Sequence, residues 1–222
     1  MSREAATTPS TEPTEVDAAE WQHYANPPLQ LHPLLSAALD LFVRLGYHGT
    51  SVRAIAAEAR MTVPGLYYNF ASKQDILTEL LTLSNQELTR RSEAALAAAG
   101  RDPRTRFAAL IRCVVLHLTH MQKFAHLVRE IDALDEKHRP KHVELRDRFQ
   151  RLVLTEVIAG QTLGDFGPGD PHEITRAVLS LCNGVADWFR IEGVATPEKI
   201  ADRYVEFALR LVLDRKTVGD QA

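Results

Sequence analysis

The sequence predicts an all-α protein of about nine helices, for three reasons. From Leu34 onward, apolar residues recur at intervals of three and four, which is the period of an amphipathic helix. Serine, threonine, proline and glycine stand where these periodic segments would start and stop. We find no convincing strand pattern and no internal repeat. We therefore expect helices packed against helices, with no sheet.

The first 30 residues are predicted to form a disordered or irregular N-terminal arm. Residues 1–20 contain almost no large apolar side chain, so burial cannot offset the entropy cost of ordering them. Trp21, Tyr24 and Leu29 are apolar groups that can dock on the folded body, although nearby prolines prevent a long helix.

The composition is that of a globular protein without a strong charge bias. The net charge of −3 does not by itself suggest nucleic acid as a partner. No apolar run reaches the roughly 18 residues that a membrane helix needs, and no secretory signal is visible. We interpret Cys113 and Cys182 as buried thiols rather than as a disulfide. These features predict a cytoplasmic protein with no membrane partner.

Residues 31–78 are predicted to form a domain of short helices that ends in a long one. The predicted helices run from Leu34 to Gly46, from Ser51 to Ala59, from Val63 to Phe70, and from Ser72 to about Ala99. Leu45 is assigned to the buried face of the first helix. The tight turn between the second and third helices fits a helix-turn-helix motif.

Residues 79–215 are predicted to form a second helical domain, followed by a tail at 216–222. After Gly100, the predicted helices begin at Pro103, Phe124, Pro140, Pro171 and Pro197, and they end near Leu118, Leu134, Gln161, Val194 and Val212. Most of these starts carry a proline, whose fixed φ suits the first turn of a helix.

The uncharged stretch MTVPGLYYNF, Met61 to Phe70, fits the recognition helix of such a motif. Its proline and glycine keep the N-terminal end thin enough to enter a major groove. Its adjacent tyrosines can donate hydrogen bonds to phosphate oxygens, whereas Leu66 and Phe70 are expected to turn inward.

Other residues around this stretch are placed to contact phosphates. Lys73 stands at the start of the next helix, and Ser51 and Thr62 can present hydroxyls and free backbone N–H groups. The residues predicted to contact DNA are Thr50, Ser51, Arg53, Thr62, Val63, Pro64, Gly65, Tyr67, Tyr68, Asn69 and Lys73.

The segment ALDLFVRLGYHGTSVRAIAAEARMTVPGLYYNFASKQDIL resembles the DNA-binding domain of the TetR family of bacterial transcriptional regulators. The features that carry the resemblance are Phe42, Gly46 and Tyr47, Gly49 to Val52, Ile55 and Ala56, Leu66 to Phe70, Ser72 and Lys73. The resemblance implies a homodimer that binds double-stranded operator DNA, usually as a repressor. It also implies an all-helical C-terminal domain for ligand binding and dimerisation.

The sequence departs from the family pattern at several positions. Arg60 stands where the turn usually has glycine, and Val63, Pro64 and Leu31 replace residues that are commonly basic, glycine and basic, respectively. Residues 31–75 carry a net charge of only +1, from four basic and three acidic residues. We therefore expect DNA binding with a modest dependence on salt.

The effector is predicted from a second, less specific resemblance. The ending ADWFRIEGVATPEKIADRYVEFALRLV resembles that of regulators that respond to acyl-CoA thioesters in fatty-acid or steroid degradation. It implies a small apolar or acyl-CoA effector. The family keeps its ligand in the middle of this domain, which makes His117, Met121, Phe124 and Trp188 the candidate ligand-binding residues.

The dimer interface implied by the resemblance is built from the last two long helices. Its candidates are Val178, Leu181, Tyr204, Phe207 and Leu211, although any of them can instead face the core of its own chain. His117, His120 and His126 lie close together in sequence, but no cysteine or carboxylate pattern completes a metal site. We predict no cofactor, metal or catalytic residues.

Two alternatives remain open at this point. One is a repressor of drug efflux, whose effector would be a cationic or aromatic compound. The other is a helical enzyme or ligand carrier with a vestigial DNA motif. Acidic residues around the ligand would favour a cationic drug, whereas a basic mouth would favour acyl-CoA, because its phosphates need cations.

Overall fold

The computed structural model describes residues 20–24 and 29–213, apart from the side chain of Arg129. The α-helices are α1 (Pro33–Gly49), α2 (Val52–Glu58), α3 (Val63–Asn69), α4 (Lys73–Ala98), α5 (Pro103–His120), α6 (Gln122–Leu127), α7 (Arg139–Leu163), α8 (Pro171–Asn183), α9 (Val185–Trp188) and α10 (Pro197–Val212). A 3-10 helix, Val128–Ala133, follows α6. No strand occurs in this part of the chain, and the all-α prediction is confirmed. The predictions for residues 1–19, 25–28 and 214–222 lie outside the described residues.

Most helices begin where the sequence predicts, because side chains satisfy the first free backbone N–H groups. The side chains that accept these hydrogen bonds belong to Ser51, Thr62, Ser72, Asp102, Asp170 and Thr196. A proline occupies the first turn of α5, α8 and α10. Local capping therefore accounts for these six helix starts, whereas α6, α7 and α9 begin without a side-chain cap.

The end of α1 differs from the prediction. Gly46 is not helical (φ 73°, ψ 162°), but a further helical turn continues from it to Gly49. The hydroxyl of Thr50 donates to the carbonyls of Gly46 (2.8 Å) and Leu41 (3.2 Å), which closes this kinked end. Leu45 lies on the outer side of the kink and is 50% exposed, so its assignment to the buried face is wrong.

Two predicted helices in the second domain are shorter than expected. The segment from Phe124 to Leu134 divides into α6 and the 3-10 helix. The helix predicted to run from Pro171 to Val194 ends at Asn183, and α9 adds only a single turn beyond Gly184. Glycine is a poor helix former, and the backbone at Phe189 is already extended.

Two apolar cores share α4. Ile76, Leu77 and Leu80 of α4 are fully buried against α1, α2 and α3, whereas Leu88 and Ala95 face the core formed with α5, α7, α8 and α10. One helix therefore belongs to both cores. A displacement of its C-terminal half relative to its N-terminal half would change how the two domains are oriented.

The segment before α1 packs on the second domain. Trp21 is only 6% exposed and belongs to the core formed with α5. This placement agrees with the expected docking of the N-terminal arm. None of the helices in the described part of the chain is long and apolar enough to cross a membrane.

Candidate DNA interface and ligand cavity

A helix-turn-helix is formed by α2 and α3. The hydroxyl of Ser51 accepts a hydrogen bond from the N–H of Ala54 (3.1 Å), and that of Thr62 accepts one from the N–H of Gly65 (3.1 Å). Between the two helices, Arg60 adopts a left-handed conformation (φ 55°). In this conformation the Cβ atom of arginine lies too close to a backbone carbonyl oxygen, whereas glycine has no Cβ atom and adopts the conformation without strain.

The outer face of α3 carries the two tyrosines. Tyr67 is 51% exposed and Tyr68 is 73% exposed, whereas Leu66 is fully buried and Phe70 is buried at 8%. A short helix with exposed hydroxyls on one side and apolar anchors on the other can lie in a major groove and donate to phosphates at its edges. The geometry agrees with the orientation predicted for these side chains.

Three of the residues predicted to contact DNA, Thr50, Asn69 and Lys73, are held by the protein itself. Thr50 is 2% exposed and its hydroxyl already serves α1, so this hydroxyl is unavailable to DNA. Asn69 donates to the carbonyl of Gly65 (2.9 Å). The prediction for Thr50 is corrected: its role is to close the end of α1.

Lys73 links the motif to the end of α1. Its Nζ donates to the carbonyls of Tyr47 and Thr50, both at 2.7 Å, and lies 4.1 Å above the centre of the Tyr47 ring. Partial burial lowers the pKa of its ammonium group. An ammonium has three N–H donors, and these two carbonyls accept from two of them. Arg53 is exposed on α2, with no ion pair to any described residue.

A cavity of about 360 Å³ lies in the second domain between α4, α5, α7 and α8. Apolar side chains form most of its wall, and they include Leu81, Leu88, Val114, Leu118, Phe124, Phe149 and Leu179. The exposed residues Arg146 and Arg176 line it as well, which places both arginines at its open side. No acidic residue is among the described residues that line it.

Two buried histidines line the same cavity. His117 and His142 are each 5% exposed, and the Nδ1 atom of each has no hydrogen-bond partner among the described residues. Nε2 of His117 lies 3.0 Å from the hydroxyl of Ser84. Burial lowers the pKa of His117 to about 4 and also lowers the pKa of His142, so both rings are neutral near pH 7.

Comparison with known proteins agrees with both parts of this geometry. Residues 34–80 match the model of the bacterial regulatory proteins of the tetR family. Residues 100–212 match the model of the tetracyclin repressor-like C-terminal domain, which covers half of the chain. The chain belongs to the TetR family. It is therefore a TetR-type transcriptional regulator, a DNA-binding protein rather than a member of an enzyme family.

Three TetR relatives show the extent of the similarity. PfmR from Thermus thermophilus, a TetR family transcriptional regulator, is 31% identical and covers 82% of this chain and 99% of its own, with a TM-score of 0.74. The transcriptional repressor KstR2 of Rhodococcus jostii is 27% identical over 79% of this chain and 87% of its own. AibR, solved with isovaleryl coenzyme A and operator DNA, shares the fold at 24% identity and a TM-score of 0.72, covering 78% of this chain and 95% of its own.

The predicted ligand-binding residues of this TetR protein fall in three places. His117 and Phe124 line the cavity. Met121 and Phe124 line a second pocket of about 360 Å³, where α1 meets the start of α6 and Lys123 pairs with Asp40 at 2.6 Å. Trp188 lines neither pocket.

Sequence reasoning missed the arginines and His142. His142, Arg146, Phe149 and Gln150 follow one another on α7 at helical spacing and line the cavity together. The apolar residues of that face were predicted to be buried from their helical spacing. Helical spacing alone does not indicate whether the polar residues of this face point into a cavity or into solvent.

The residues predicted to form the dimer interface of this TetR chain also lie in different places, some buried and some exposed. Val178 is fully buried in its own core, because it shares the inner face of α8 with Thr175 and Cys182, so it cannot contact a second subunit. Phe207 and Leu211 on α10 are 42% and 55% exposed.

Half-buried residues complete the surface around α10. Tyr204 stacks on the half-exposed Trp188, with ring centres 6.4 Å apart, and Leu181 lies half-buried on α8. These side chains form an apolar face that the described residues leave partly exposed.

The histidine group does not converge on a metal site. In the described residues, no three His, Cys, Asp or Glu side chains are grouped closely enough to hold a metal ion. His117 faces Ser84, and Nε2 of His120 lies 3.9 Å from Glu198 on α10. Both have ordinary partners in the protein.

Proposed function

We propose that this TetR regulator is a homodimeric repressor that an acyl-CoA thioester releases from operator DNA. The observation that carries the proposal is the cavity with an apolar wall and two arginines, Arg146 and Arg176, at its open side. An acyl chain suits an apolar cavity, and guanidinium groups bind phosphates through paired hydrogen bonds. A CoA thioester joins these two chemistries in one molecule.

The arginines are available for such a ligand. Arg146 contacts Asp147 (2.8 Å) and Arg176 contacts Glu173 (2.6 Å), and all four side chains lie at the surface. Exposed ion pairs of this kind contribute little, typically below about 1 kcal/mol, so a phosphate can compete for them. The absence of acidic residues from the described lining disfavours a cationic drug as the effector.

The DNA-binding half of the proposal rests on α3 and the apolar face of α10. Two subunits joined through Phe207, Leu211 and their neighbours would present two recognition helices to a palindrome, about 34 Å apart. Tyr67, Tyr68 and the remaining N–H of Lys73 would then contact phosphates. Because few cations take part, the slope of log affinity against log salt should be no steeper than about −8 per dimer.

The relatives support the effector class at the level of analogy. KstR2 is named a repressor, and AibR was crystallised with isovaleryl coenzyme A and operator DNA. Fold alone does not fix a ligand, so the chemistry of the cavity is the stronger argument. For release to occur, the effector must bind the conformer that does not bind DNA more tightly.

A ligand screen tests the proposal directly. Palmitoyl-CoA should raise the melting temperature and weaken a gel shift with DNA from upstream of the protein's own gene, whereas palmitate and coenzyme A alone should have smaller effects. Replacing both Arg146 and Arg176 with alanine should weaken palmitoyl-CoA binding at least about tenfold.

The control for this screen is Arg148→Ala. Arg148 is also an exposed arginine of α7 and pairs with Glu93 at 2.7 Å, but it does not line the cavity. It should leave ligand binding unchanged. A thermal shift with cationic drugs only, or equal losses in both variants, would refute the acyl-CoA proposal.

A further inference from the structure

Residues Glu20–Tyr24 form a short segment that lies on the ligand-binding domain just before the chain enters the DNA-binding domain. We propose that this segment, hereafter the strap, is a second mechanical link between the ligand cavity and the DNA-binding domain, in addition to α4. The inference goes beyond the proposed function because it holds whatever the effector is.

The strap is anchored through its backbone by a buried cation. Nη1 of Arg91 donates to the carbonyls of Trp21 and His23, both at 2.8 Å. Arg91 is 6% exposed and pairs with Glu87, which is 2% exposed, at 2.6 Å. A buried pair with these additional hydrogen bonds holds its neighbours in one geometry, since a guanidinium without partners would be costly there.

The strap is also connected to the helix that carries the proposed dimer face. Nε of Arg112 on α5 donates to Oε1 of Gln22 at 2.6 Å, and Nη1 of the same arginine pairs with Asp202 on α10. The strap therefore contacts α4 and α5 directly and is connected to α10 through one arginine.

Tyr24 places the end of the strap directly behind the cavity wall. Its ring stacks on His120, with centres 4.7 Å apart and planes 7° apart, and the guanidinium carbon of Arg91 lies 3.7 Å from the ring centre. It also makes an edge-type ring contact with His117, which lines the cavity, at 6.4 Å between ring centres. A ligand that displaces His117 would therefore displace Tyr24.

The other end of this link is the DNA-binding domain. Tyr24 packs against both apolar cores, and Leu29 and Leu31 pack against the core around α1. A movement of Tyr24 would therefore change the packing of both cores at once.

Two buried polar atoms at this contact support a second arrangement. The hydroxyl of Tyr24 and Nδ1 of His117 are both buried, and neither has a hydrogen-bond partner among the described residues. Unpaired buried polar groups raise the free energy of the arrangement that contains them. A conformer in which either group finds a partner is therefore within reach of a ligand or of DNA.

Hydrogen exchange on the full-length protein tests the inference without any effector. Coupling between sites is reciprocal, so operator DNA should alter the cavity if the cavity alters DNA binding. On addition of DNA from upstream of the gene, exchange at the backbone amides of strap residues 21–24 and cavity residues 114–118 should change at least about threefold. In Tyr24→Leu, which keeps apolar bulk but removes the stacking, the change at residues 114–118 should fall by at least half.

His23→Ala is the matched control, because the side chain of His23 is exposed and only its carbonyl is used. It should respond to DNA as the wild type does. The wild-type measurement alone can overturn the inference, since unchanged exchange at the strap in a protein that shifts DNA in a gel would exclude the link. An undiminished response in Tyr24→Leu would also exclude it, whereas failure of palmitoyl-CoA to bind would refute only the effector proposal.

Discussion

In the DNA-binding domain, the buried hydroxyl of Thr50 donates to two carbonyls, whereas in the ligand-binding domain the buried hydroxyl of Thr175 has no partner among the described residues. This contrast extends to the two domains as a whole. Among the described residues, the buried side-chain polar atoms without a partner belong to Tyr24, Thr78, Thr89, His117, His142 and Thr175, and only Thr78, at the end of residues 31–78, belongs to the DNA-binding domain.

This contrast indicates that the two domains have different roles. A domain in which all but one of the described buried polar side chains are paired has a strongly preferred arrangement, which suits a fixed DNA-binding surface. A domain that leaves several unpaired can gain hydrogen bonds by rearranging or by binding a ligand. The ligand-binding domain is thus the part of the molecule in which two conformers of similar free energy are expected.

The largest expected effect concerns the buried ion pair of the ligand-binding domain. Arg91→Met would leave Glu87 with Arg90 as its remaining cation and would leave the carbonyls of Trp21 and His23 without their donor. We expect the free energy of unfolding to fall by about 3 kcal/mol or more, as measured in urea. In the control Arg210→Met, the exposed pair with Glu206 is lost and the cost should stay below about 0.5 kcal/mol.

The double variant Glu87→Gln, Arg91→Met sharpens this prediction. It removes both charges, so it should recover part of the lost stability. A loss of less than about 1 kcal/mol in Arg91→Met would show that the strap and its anchor are not part of the cooperative structure.

Two histidines, His117 and His138, should change the stability of the protein with pH in opposite directions. Burial lowers the pKa of His117 to about 4, so below about pH 6.5 the unfolded chain binds a proton that the folded protein refuses. Stability is lost as the pH falls from about 6.5 toward 4, by up to about 3 kcal/mol. His117→Gln should remove this loss, which urea unfolding at pH 7.5, 6 and 5 would measure.

His138 should act in the other direction. Its ring nitrogens lie 2.9 Å from Asp75 and 2.6 Å from Asp135, and these contacts raise its pKa, with the Asp75 hydrogen bond as the largest cause. The stabilisation that His138 contributes is therefore present below about pH 6.5 and is lost as the pH rises through the raised pKa of its ring. The pKa values of both carboxyls are lowered, so their contributions are lost only at more acidic pH, below about 4. In His138→Gln, the free energy of unfolding should therefore fall more steeply on acidification than in the wild type. An identical dependence of the free energy of unfolding on pH would contradict this.

A matched pair of threonines tests the contrast between the two domains. Thr50→Val would leave the carbonyls of Leu41 and Gly46 without their buried donor and should cost about 1–3 kcal/mol. Thr175→Val removes a hydroxyl that has no described partner and should be neutral or stabilising. Both side chains are almost fully buried, so the free energy gained by moving the extra methyl group of valine out of water is similar at the two sites. Equal costs in urea unfolding would show that the two domains do not differ in this way.

The sequence allowed much of the DNA-binding domain to be predicted, because its signals are local. Ser51 and Thr62 cap short helices, and Leu66 is buried while Tyr67 and Tyr68 are exposed, as the spacing of α3 requires. The role of Thr50 was not predictable, because it depends on the kink at Gly46. Whether Ser51, Thr62 and the tyrosines contact DNA stays a prediction.

The ligand cavity was less predictable, because it depends on which helices meet. Arg146 on α7 and Arg176 on α8 are 30 positions apart and come together only through the packing of these helices. Trp188 was expected to line the cavity, but the end of α8 at Asn183 moves it to the outer surface beside Tyr204. Helix periodicity identifies an apolar face, yet it does not distinguish a core, a cavity and a subunit interface.

The smallest expected effect concerns the one conformationally strained position among the described non-glycine residues, Arg60 in the turn of the DNA-binding domain. Its left-handed backbone costs arginine about 1–2 kcal/mol, whereas glycine adopts it freely but loses more entropy on folding. We therefore expect Arg60→Gly to raise the free energy of unfolding by about 0.5–1 kcal/mol. The matched control Arg53→Gly, in the helical backbone of α2, should lower it by about 1 kcal/mol. Because the two variants remove the same exposed charge from the same motif, a difference in sign isolates the backbone as its cause. Destabilisation by both would mean that the strain is released in solution and that the DNA-binding domain is less rigid than its paired polar groups indicate.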